Sequence, residues 1–315
     1  MKSILIGLGD ISEKHIKVLK EFHCEITGVY SRDYEETKLR AKKLGITNIF
    51  KTFEEVSEQK CDFFLIMTSA ENNCKVLKQF IPLKKPILIE KPVGFSSHEL
   101  DEAIELNKKF CTPIMVGANR RFYSIFHSAL EYLNSKNLKI NSIYIEAPER
   151  INDINKDKFS FNTKQHWMFV NSIHCIDLLR FFSGDVKNIT SFSNVSKLVF
   201  NAIGISEKNI EFIYNSNWSS PGKWTISIYA DETRIEFDPL ESGKIITKNS
   251  VIEITPSEND LKFKPGFYFQ FKHFLENIVG KNQFVWPCSD LIDHKKSLET
   301  IEKIFPTTLD IPFKK

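Results

Sequence analysis

The first 120 residues alternate short apolar segments with amphipathic ones, and this alternation restricts the fold more than any other feature. Apolar runs that suit buried strands occur at residues 3–6, 25–30, 63–67, 86–89 and 114–116. Helical spacing of apolar residues is found at 12–21, 33–44 and 72–81, and again after the capping box Ser96-x-x-Glu99. Strands that alternate with helices in this way predict a doubly wound, parallel α/β sheet.

The pattern changes near residue 120. Longer alternating runs occur at residues 140–146, 189–199, 210–214, 224–229, 234–237 and 245–254, with a single helix, 173–182, among them. Strands without intervening helices are typical of an antiparallel sheet. We therefore expect an N-terminal α/β domain of residues 1–120 and an α+β domain of residues 121–315 with a large, mostly antiparallel sheet. The last predicted helix, 288–304, could pack back on the first domain.

Charge and cysteine content exclude several classes of partner. The 43 Lys and Arg residues against 40 Asp and Glu leave a net charge of +3, which is too balanced for binding to nucleic acid or a membrane surface. The six cysteines form no Cys-x-x-Cys pair, which favours reduced thiols over disulfides or a zinc site. The N-terminus does not resemble a signal peptide, and no run of about 18 apolar residues is present. We expect a cytoplasmic protein.

The segment Gly7-Leu8-Gly9-Asp10-Ile11-Ser12 joins the first predicted strand to the first predicted helix. At such a junction, Gly7 permits a tight turn and Gly9 permits the backbone to approach a pyrophosphate, whose charge is held by the N–H groups of the helix start. Ser12 stands where a small residue allows close packing of helix and strand. The motif predicts a dinucleotide-binding site, and a purely structural turn is the alternative.

The end of the second predicted strand determines which dinucleotide fits. An acidic residue there binds the ribose 2′-OH of NAD, whereas an arginine accommodates the 2′-phosphate of NADP. Ser31 and Arg32 occupy this position, so we expect NADP(H), with NAD(H) possible. In the alternative interpretation, Asp33 is the ribose ligand and Arg32 is a solvated surface charge.

Glu90-Lys91-Pro92 follows the predicted strand at 86–89, and ligands of open α/β sheets bind beyond the carboxyl ends of strands. The positive charge of a nicotinamide there would disfavour the ammonium form of Lys91 and make it suitable for proton transfer. A surface lysine without chemistry is the alternative. The predicted cofactor-binding residues are Gly7, Gly9, Asp10, Ile11, Ser12, Ser31, Arg32, Thr68, Glu90, Lys91 and Pro92.

Four motifs in this order resemble the Gfo/Idh/MocA family of oxidoreductases over nearly the whole chain. They are the Gly-x-Gly-x-x-small opening, Glu-Lys-Pro, Asn119-Arg120-Arg121-Phe122 and His174-x-x-Asp177. The resemblance implies a Rossmann domain for residues 1–120, a nicotinamide cofactor and, usually, a sugar or cyclitol substrate. It also implies that Lys91 is the catalytic lysine and that His174 contacts the reacting hydroxyl.

His174 also suits a catalytic role by its place in the sequence. The predicted helix 173–182 starts beside it, where the helix dipole favours the neutral imidazole that a general base must be, and Asp177 lies on the same helix face. A buried, hydrogen-bonded histidine without chemistry is the alternative.

The chain departs from the family pattern at two positions. The family commonly has an aspartate four residues before this histidine, where the chain has Val170, and a histidine where it has Cys74. Asn171 or His166 could replace the aspartate, because both form hydrogen bonds. A metal is not expected, since His174, Cys175 and Asp177 do not form a usual ligand set.

These features together predict an NAD(P)-dependent oxidoreductase that acts on CH–OH groups. It would transfer hydride between nicotinamide and a secondary alcohol or ketone of a sugar, sugar acid, nucleotide sugar or cyclitol. Arg120, Arg121 and Lys164 are candidate contacts to an anionic part of the substrate, or else solvated charges. The predicted substrate-binding residues are Lys91, Asn119, Arg120, Arg121, His166, Asn171, His174 and Asp177.

Two other functions remain open: a catalytically inactive nicotinamide-binding regulator and a redox-neutral NAD-dependent glycosidase. The family likeness and the aromatic-rich strands also predict a homodimer or homotetramer, formed through one face of the antiparallel sheet.

Overall fold

The structure is a computed structural model that describes residues 1–309, and these residues divide into two units. The first unit comprises Met1–Asn119 and Lys262–Lys295. The second comprises Arg120–Leu261 and, among the described residues, 296–309. The first unit thus takes in a returning segment that begins at Lys262, well before the last helix.

A parallel sheet of six strands forms the centre of the first unit. Its strands are β1 (Lys2–Ile6), β2 (Glu25–Tyr30), β3 (Ile49–Phe50), β4 (Phe63–Ile66), β5 (Ile87–Glu90) and β6 (Ile114–Gly117). Their order is β3-β2-β1-β4-β5-β6, and every neighbouring pair is parallel. The strand order reverses between β1 and β4, and this is the place where open α/β sheets bind ligands.

The second unit contains a sheet of eight strands. They are β7 (Ile140–Glu146), β8 (Val186–Asn194), β9 (Val199–Ser206), β10 (Glu211–Asn217), β11 (Thr225–Ala230), β12 (Thr233–Phe237), β13 (Gly243–Thr247) and β14 (Val251–Ile254). In the order β14-β13-β12-β11-β7-β10-β9-β8, β7 and β10 pair in parallel and the other neighbours are antiparallel. The predicted fold class is confirmed: a parallel doubly wound sheet is combined with a large, mostly antiparallel one.

Both units also contain helices. The α-helices are α1 (Ser12–Glu21), α2 (Tyr34–Leu44), α3 (Phe53–Ser57), α4 (Asn73–Phe80), α5 (Glu99–Phe110), α6 (Ser124–Ser135), α7 (Ile151–Ile154), α8 (Phe161–Gln165), α9 (Ile173–Ser183), α10 (Glu258–Lys262), α11 (Phe267–His273) and α12 (Leu291–Ile304). Two π-helical turns adjoin these helices. Met168–Ser172 runs directly into α9, and Phe274–Val279 directly follows α11. Within residues 1–309, no helix has the length and apolar character that would cross a bilayer.

Two predicted strands were wrong, because apolar residues continue through tight turns. The segment 189–199 contains the end of β8 and a reversal, where Asn194 Oδ1 accepts a hydrogen bond from the backbone N–H of Lys197 at 3.1 Å. The segment 245–254 contains β13, a turn and β14, and Thr247 Oγ1 accepts from the backbone N–H of Ser250 at 3.1 Å. The short elements β3 and α3 were not predicted.

Candidate dinucleotide and substrate sites

A cleft of about 480 Å³ opens at the carboxyl end of β1 in the first unit. The residues that follow β1, β2 and β4 converge on it, as expected at a reversal of strand order. Seven predicted cofactor-binding residues line the cleft: Gly7, Gly9, Asp10, Ile11, Ser31, Arg32 and Thr68. The structure therefore brings together residues from three separate segments of the sequence.

The glycines of the first turn fit a bound pyrophosphate. Gly7 has a φ of 90°, and a Cβ added there would lie 2.7 Å from the carbonyl oxygen of Met67, so no larger residue fits. A Cβ added at Gly9 would meet no atom within 4 Å, which leaves the backbone accessible from the cleft. No side chain caps the start of α1, which suits an anion there, and of its first N–H groups those of Ser12 and Lys14 already donate to the carbonyl oxygens of Gly9 and Ile11.

Ser12, which was also predicted to bind the cofactor, has only the packing role that the motif indicates for its position. Its side chain is fully buried, and its Oγ finds no hydrogen-bond partner among the described residues. Ser12 does not belong to the cleft lining. It therefore serves the close packing of α1 on the sheet and does not contact a cofactor through its side chain.

The edge of the cleft after β2 is cationic. Arg32, Arg40 and Lys75 all line it. The Nη1 of Arg32 lies 3.4 Å from Asn72 Oδ1, while Arg40 pairs with Glu36 at 3.0 Å. Arg32 directly follows β2, Arg40 lies on α2 and Lys75 lies on α4, and three cations in one cleft are a suitable setting for a phosphate group.

Asp33, the alternative ribose ligand, caps a helix instead. Its Oδ1 accepts a hydrogen bond from the backbone N–H of Glu36 at 2.9 Å and so closes the first turn of α2. It is not part of the cleft lining. This engagement removes the main support for Asp33 as the ribose-binding residue.

Backbone hydrogen bonds on both sides of Lys91 fix its position. The Nδ2 of Asn73 donates to the carbonyl oxygens of Glu90 and Pro92 at 3.0 and 2.9 Å. Asn73 is held in turn by Thr68, whose hydroxyl donates to Asn73 Oδ1 at 2.6 Å. Thr68 therefore links the cleft lining to the backbone around Lys91.

A buried acid–base pair lies directly before Lys91. His15 Nε2 and Glu90 Oε1 are 2.7 Å apart, with His15 almost fully buried. Burial alone would raise the pKa of Glu90, but the hydrogen bond and charge of His15, together with Lys91 and Lys264, outweigh it and lower the pKa. Glu90 is thus a carboxylate, and it anchors the end of β5 to α1.

The returning segment supports the same region of the first unit. His294 Nε2 accepts a hydrogen bond from the backbone N–H of Val93 at 3.1 Å, and Asn119 Nδ2 donates to the carbonyl oxygen of Pro265 at 3.0 Å. Sequence reasoning missed His294, His15 and Asn73, since none of them lies in a recognisable motif. Asn119 was predicted to bind substrate, but its amide is used by the backbone.

Cys74, which stands where the family commonly has a histidine, is not suited to catalysis. Burial raises the pKa of this thiol to about 11, and its Sγ donates to the carbonyl oxygen of Glu99. All six cysteines are free, and within residues 1–309 no group of three or more His, Cys, Asp or Glu side chains is placed to hold a metal ion.

Arg121 and Asp177, both predicted to bind substrate, pair with each other inside the second unit. The Nε and Nη2 of Arg121 donate to the two carboxylate oxygens of Asp177 at 2.8 and 2.6 Å. Ser297 Oγ also donates to Asp177, at 3.1 Å, and both charged side chains are buried. The bidentate pair anchors Arg121 to α9, and Ser297 joins α9 to α12, so Arg121 and Asp177 stabilise the fold and do not face a ligand.

His174 does not lie at a free helix start. The π-helical turn Met168–Ser172 runs directly into α9, so the backbone N–H groups near His174 already belong to a continuous helix. The argument that a helix dipole keeps the imidazole neutral is therefore wrong. His174 is half-buried, and its ring centroid lies 6.2 Å from that of Trp224.

A second cavity, of about 390 Å³, lies in the second unit beside the same tryptophan. Arg120, Asn171 and Trp224 line it, and the Arg120 guanidinium stacks on the Trp224 ring with its Cζ 4.4 Å from the ring centroid. The Nη1 of Arg120 is buried without a hydrogen-bond partner among the described residues. Two predicted substrate residues, Arg120 and Asn171, thus line one polar cavity.

Glu149 is the cavity residue that sequence reasoning missed. Only 5% of it is exposed, and its carboxylate accepts hydrogen bonds from Trp167 Nε1 at 2.9 Å, Asn171 Nδ2 at 2.8 Å and Ser172 Oγ at 2.9 Å. Burial raises its pKa to about 7, although these three donors and the charge of Arg120 act in the opposite direction. No motif surrounds this residue, which lies in the loop after β7.

The parallel sheet, the glycine turn at the reversal of strand order and the uncapped start of α1 define a dinucleotide-binding protein of the Rossmann class. Residues 1–118 match the oxidoreductase family GFO_IDH_MocA, described as having an NAD-binding Rossmann fold. The first domain thus matches the Gfo/Idh/MocA oxidoreductases, and the resemblance seen in the sequence is confirmed over these residues.

Relatives of known sequence extend the comparison. Myo-inositol 2-dehydrogenase of Thermotoga maritima is 31% identical over 125 residues, which are 39% of this chain and 37% of that enzyme. An uncharacterised oxidoreductase of Bacillus subtilis, YrbE, is 23% identical over 318 residues, or 90% of this chain and 88% of its own. The first match thus spans well under half of the inositol dehydrogenase.

Solved structures share the fold over nearly the whole chain. An oxidoreductase of Agrobacterium radiobacter, in complex with NAD⁺, L-tartaric acid and magnesium, has a TM-score of 0.78 at 16% identity and covers 96% of this chain and 94% of its own. The scyllo-inositol dehydrogenase of Lactobacillus casei has a TM-score of 0.75 at 15% identity, with the same coverage. At such identities the likeness shows the fold alone.

Proposed function

We propose that the protein is an NADP(H)-preferring oxidoreductase that interconverts a secondary alcohol and a ketone of a sugar-like substrate. The observation that carries this proposal is the setting of Lys91. It follows a central strand of an NAD-binding Rossmann domain, and hydrogen bonds from Asn73 and to His294 fix the backbone on either side. A fixed amine at the carboxyl end of a strand suits proton transfer at a bound ligand.

The cofactor preference is supported by the cationic edge of the cleft. Arg32, Arg40 and Lys75 can surround a 2′-phosphate, and the hydroxyl of Ser31 can donate to it. Asp33 is committed to the cap of α2 and so is a poor ligand for the ribose 2′-OH. The uncapped start of α1 would hold the pyrophosphate of either dinucleotide.

Two side chains are assigned to the substrate hydroxyl. When bound, the nicotinamide supplies the acceptor or donor of hydride. Lys91 and His174 hold the reacting oxygen and move its proton, and each can act as a donor or an acceptor according to its protonation. Val170 is the observation that favours a catalytically inactive regulator instead, since an apolar residue there removes a group that could share the proton.

A homodimer or homotetramer is also proposed, from the outer face of the eight-stranded sheet. Ile203 and Ile213 are directly paired on β9 and β10, and their exposures are 48% and 49%. Tyr229 on β11 lines the same groove, at 39% exposure. A contiguous apolar strip of this kind is typical of a contact between copies of a chain.

Activity of a lysine variant tests the catalytic assignment. NADPH and NADH are first titrated against protein fluorescence, and cyclitols, sugars and sugar acids are then screened with NADP⁺ and NAD⁺ at 340 nm. Lys91→Ala should lower kcat by roughly a hundred- to ten-thousand-fold and leave NADPH affinity nearly unchanged. Lys108→Ala, at a surface lysine paired with Glu105 on α5, is the matched control and should retain the wild-type rate.

Two results would contradict the assignment. Full turnover by Lys91→Ala would show that this lysine moves no proton. Binding of NADPH without turnover of any substrate, by the wild type as well as the variant, would support the regulator.

A further inference from the structure

The cavity of the second unit carries no excess of positive charge. Three basic side chains, Arg120, Arg150 and Lys223, line it together with three acidic ones, Glu149, Asp153 and Glu241. Two other cations expected at an anionic substrate are committed elsewhere: Arg121 pairs with Asp177, and Lys164 is buried outside the cavity lining. A cavity with this balance is poorly suited to a diphosphate or a strongly anionic sugar.

Glu149 is held rigidly within this cavity. Trp167 and Asn171 donate to one carboxylate oxygen and Ser172 to the other, so three of the roughly four acceptor positions of the carboxylate are used among the described residues. The Nε1 of Trp224 donates to the carbonyl oxygen of Pro148 at 2.8 Å and fixes the residue before Glu149. One acceptor position, on Oε1, is thus not used by the described neighbours, and Glu149 lines the cavity.

We propose that Glu149 is a substrate-binding residue, whose carboxylate accepts a hydrogen bond from a hydroxyl of the substrate and selects neutral polyols over anionic sugars. The proposal rests on the proposed oxidoreductase function and names the chemical class of its substrate. A hydroxyl donates to a carboxylate in a strong, charge-assisted hydrogen bond, whereas a substrate carboxylate at the same position would be repelled.

The protonation of Glu149 then controls substrate binding. Because burial raises its pKa to about 7, the carboxylate is ionised above that pH and becomes a weaker acceptor below it. The charged or titratable neighbours are Arg120, Cys175 and Tyr214. Burial raises the pKa of Cys175 to about 12 and that of Tyr214 well above 10, so both remain neutral through this range.

Kinetics of Glu149→Gln with matched neutral and acidic sugars test the proposal. Glutamine keeps the shape and can satisfy the same neighbours, since its oxygen accepts from Trp167 and Asn171 while its amide donates to the hydroxyl of Ser172. The probes are myo-inositol, D-glucose and D-galactose, compared with D-glucuronate and D-galacturonate, each from pH 6 to 9. Glu253→Gln, at an exposed acid on β14 that pairs with Lys244 outside the cavity lining, is the matched control.

We expect the wild type to prefer the neutral sugars, with a KM that falls as pH rises through about 7. Glu149→Gln should raise this KM by roughly ten- to a hundred-fold, leave kcat nearly unchanged and remove the pH dependence of KM. Glu149→Asp, which keeps the charge, should retain the pH dependence even if its reach is shorter. Ligand-observed NMR of the same sugars should show the same loss of binding without any turnover.

Several outcomes would overturn the proposal. They are a preference of the wild type for the acidic sugars, an unchanged KM and pH profile in Glu149→Gln, a loss in kcat alone, and an equal loss in Glu253→Gln. Absence of binding of every neutral sugar to the wild type would also overturn it. If the wild type then still oxidises an acidic sugar, the proposed function stands while this inference fails; inactivity on every probe rejects both.

Discussion

Replacement of Glu149 by glutamine should change how the stability of the protein depends on pH. The folded protein raises the pKa of this carboxyl from an ordinary 4.5 to about 7 by burial, so it favours the protonated form. That preference stabilises the fold fully below pH 4.5 and is lost progressively as pH rises to about 7, because the folded state must then hold a buried carboxylate. Glutamine is neutral at every pH and has no such dependence.

The size of the effect follows from the shift in pKa. Each pKa unit corresponds to about 1.4 kcal/mol of free energy. Between pH 5 and pH 8, the free energy of unfolding of the wild type should therefore fall by about 2–3 kcal/mol relative to that of Glu149→Gln. A domain of 150–250 residues shifts its Tm by roughly 2–4 °C per kcal/mol, which gives a relative change of about 5–10 °C. The stability of the variant relative to the wild type should therefore be greater at pH 8 than at pH 5.

Thermal unfolding followed by circular dichroism at several pH values measures this difference. At each pH, the Tm of the variant is subtracted from the Tm of the wild type. This difference removes the contribution of the eight histidines to the pH dependence, because both proteins share them. Asp153→Asn is the control for stability, because this acid is exposed and should give a difference that hardly changes between pH 5 and 8. A wild-type-minus-variant Tm that stays constant would refute the assignment of a raised pKa to Glu149. This test needs neither cofactor nor substrate.

Three further predictions concern the cofactor, the lysine loop and the sheet face. Arg32→Ala should weaken NADPH binding roughly ten- to a hundred-fold in a fluorescence titration and leave NADH nearly unchanged, whereas equal wild-type affinities for the two would contradict it. Asn73→Ala removes the hydrogen bonds to Glu90 and Pro92, and kcat should fall by roughly ten- to a hundred-fold, more than NADPH affinity does; an unchanged kcat would show that the loop needs no such support. Ile213→Glu should convert the oligomer to monomer in light scattering, and a monomeric wild type at micromolar concentration would rule the interface out.

The first unit could be predicted from sequence because its signals are local. Buried parallel strands such as β4 are continuous apolar runs, and each is followed by an amphipathic helix. The two-residue strand β3 is too short to carry a pattern. In the second unit, apolar residues continue across two tight turns: Val195 lies in the turn after β8, and Val251 begins β14 directly after the turn that follows β13. The alternation of apolar and polar residues therefore could not locate the chain reversals between β8 and β9 and between β13 and β14.

The cofactor cleft could be predicted to the same extent, and for the same reason. Gly7 and Gly9 can be recognised in the sequence because both serve the same short turn. Gly7 adopts a φ of 90°, and Gly9 leaves the backbone open. Asn73 and His15 act on Glu90 from 17 and 75 residues away, and nothing near either residue in the sequence indicates that contact. Their identity as supporting residues appears only when the sheet brings β5, α4 and α1 together.

The neighbouring arginines Arg120 and Arg121 show why the substrate side was harder to predict. They are adjacent in a single motif, and the sequence supports the same role for both. Folding buries Arg121 against Asp177, 56 residues away, and places the Arg120 guanidinium on Trp224 in a polar cavity. Arg121 is buried, its charge is neutralised by that of Asp177 and it is absent from the cavity lining, so only one of the two arginine charges reaches the cavity. Whether the cavity suits an anion or a neutral polyol is therefore decided by tertiary partners such as Asp177 and Glu149.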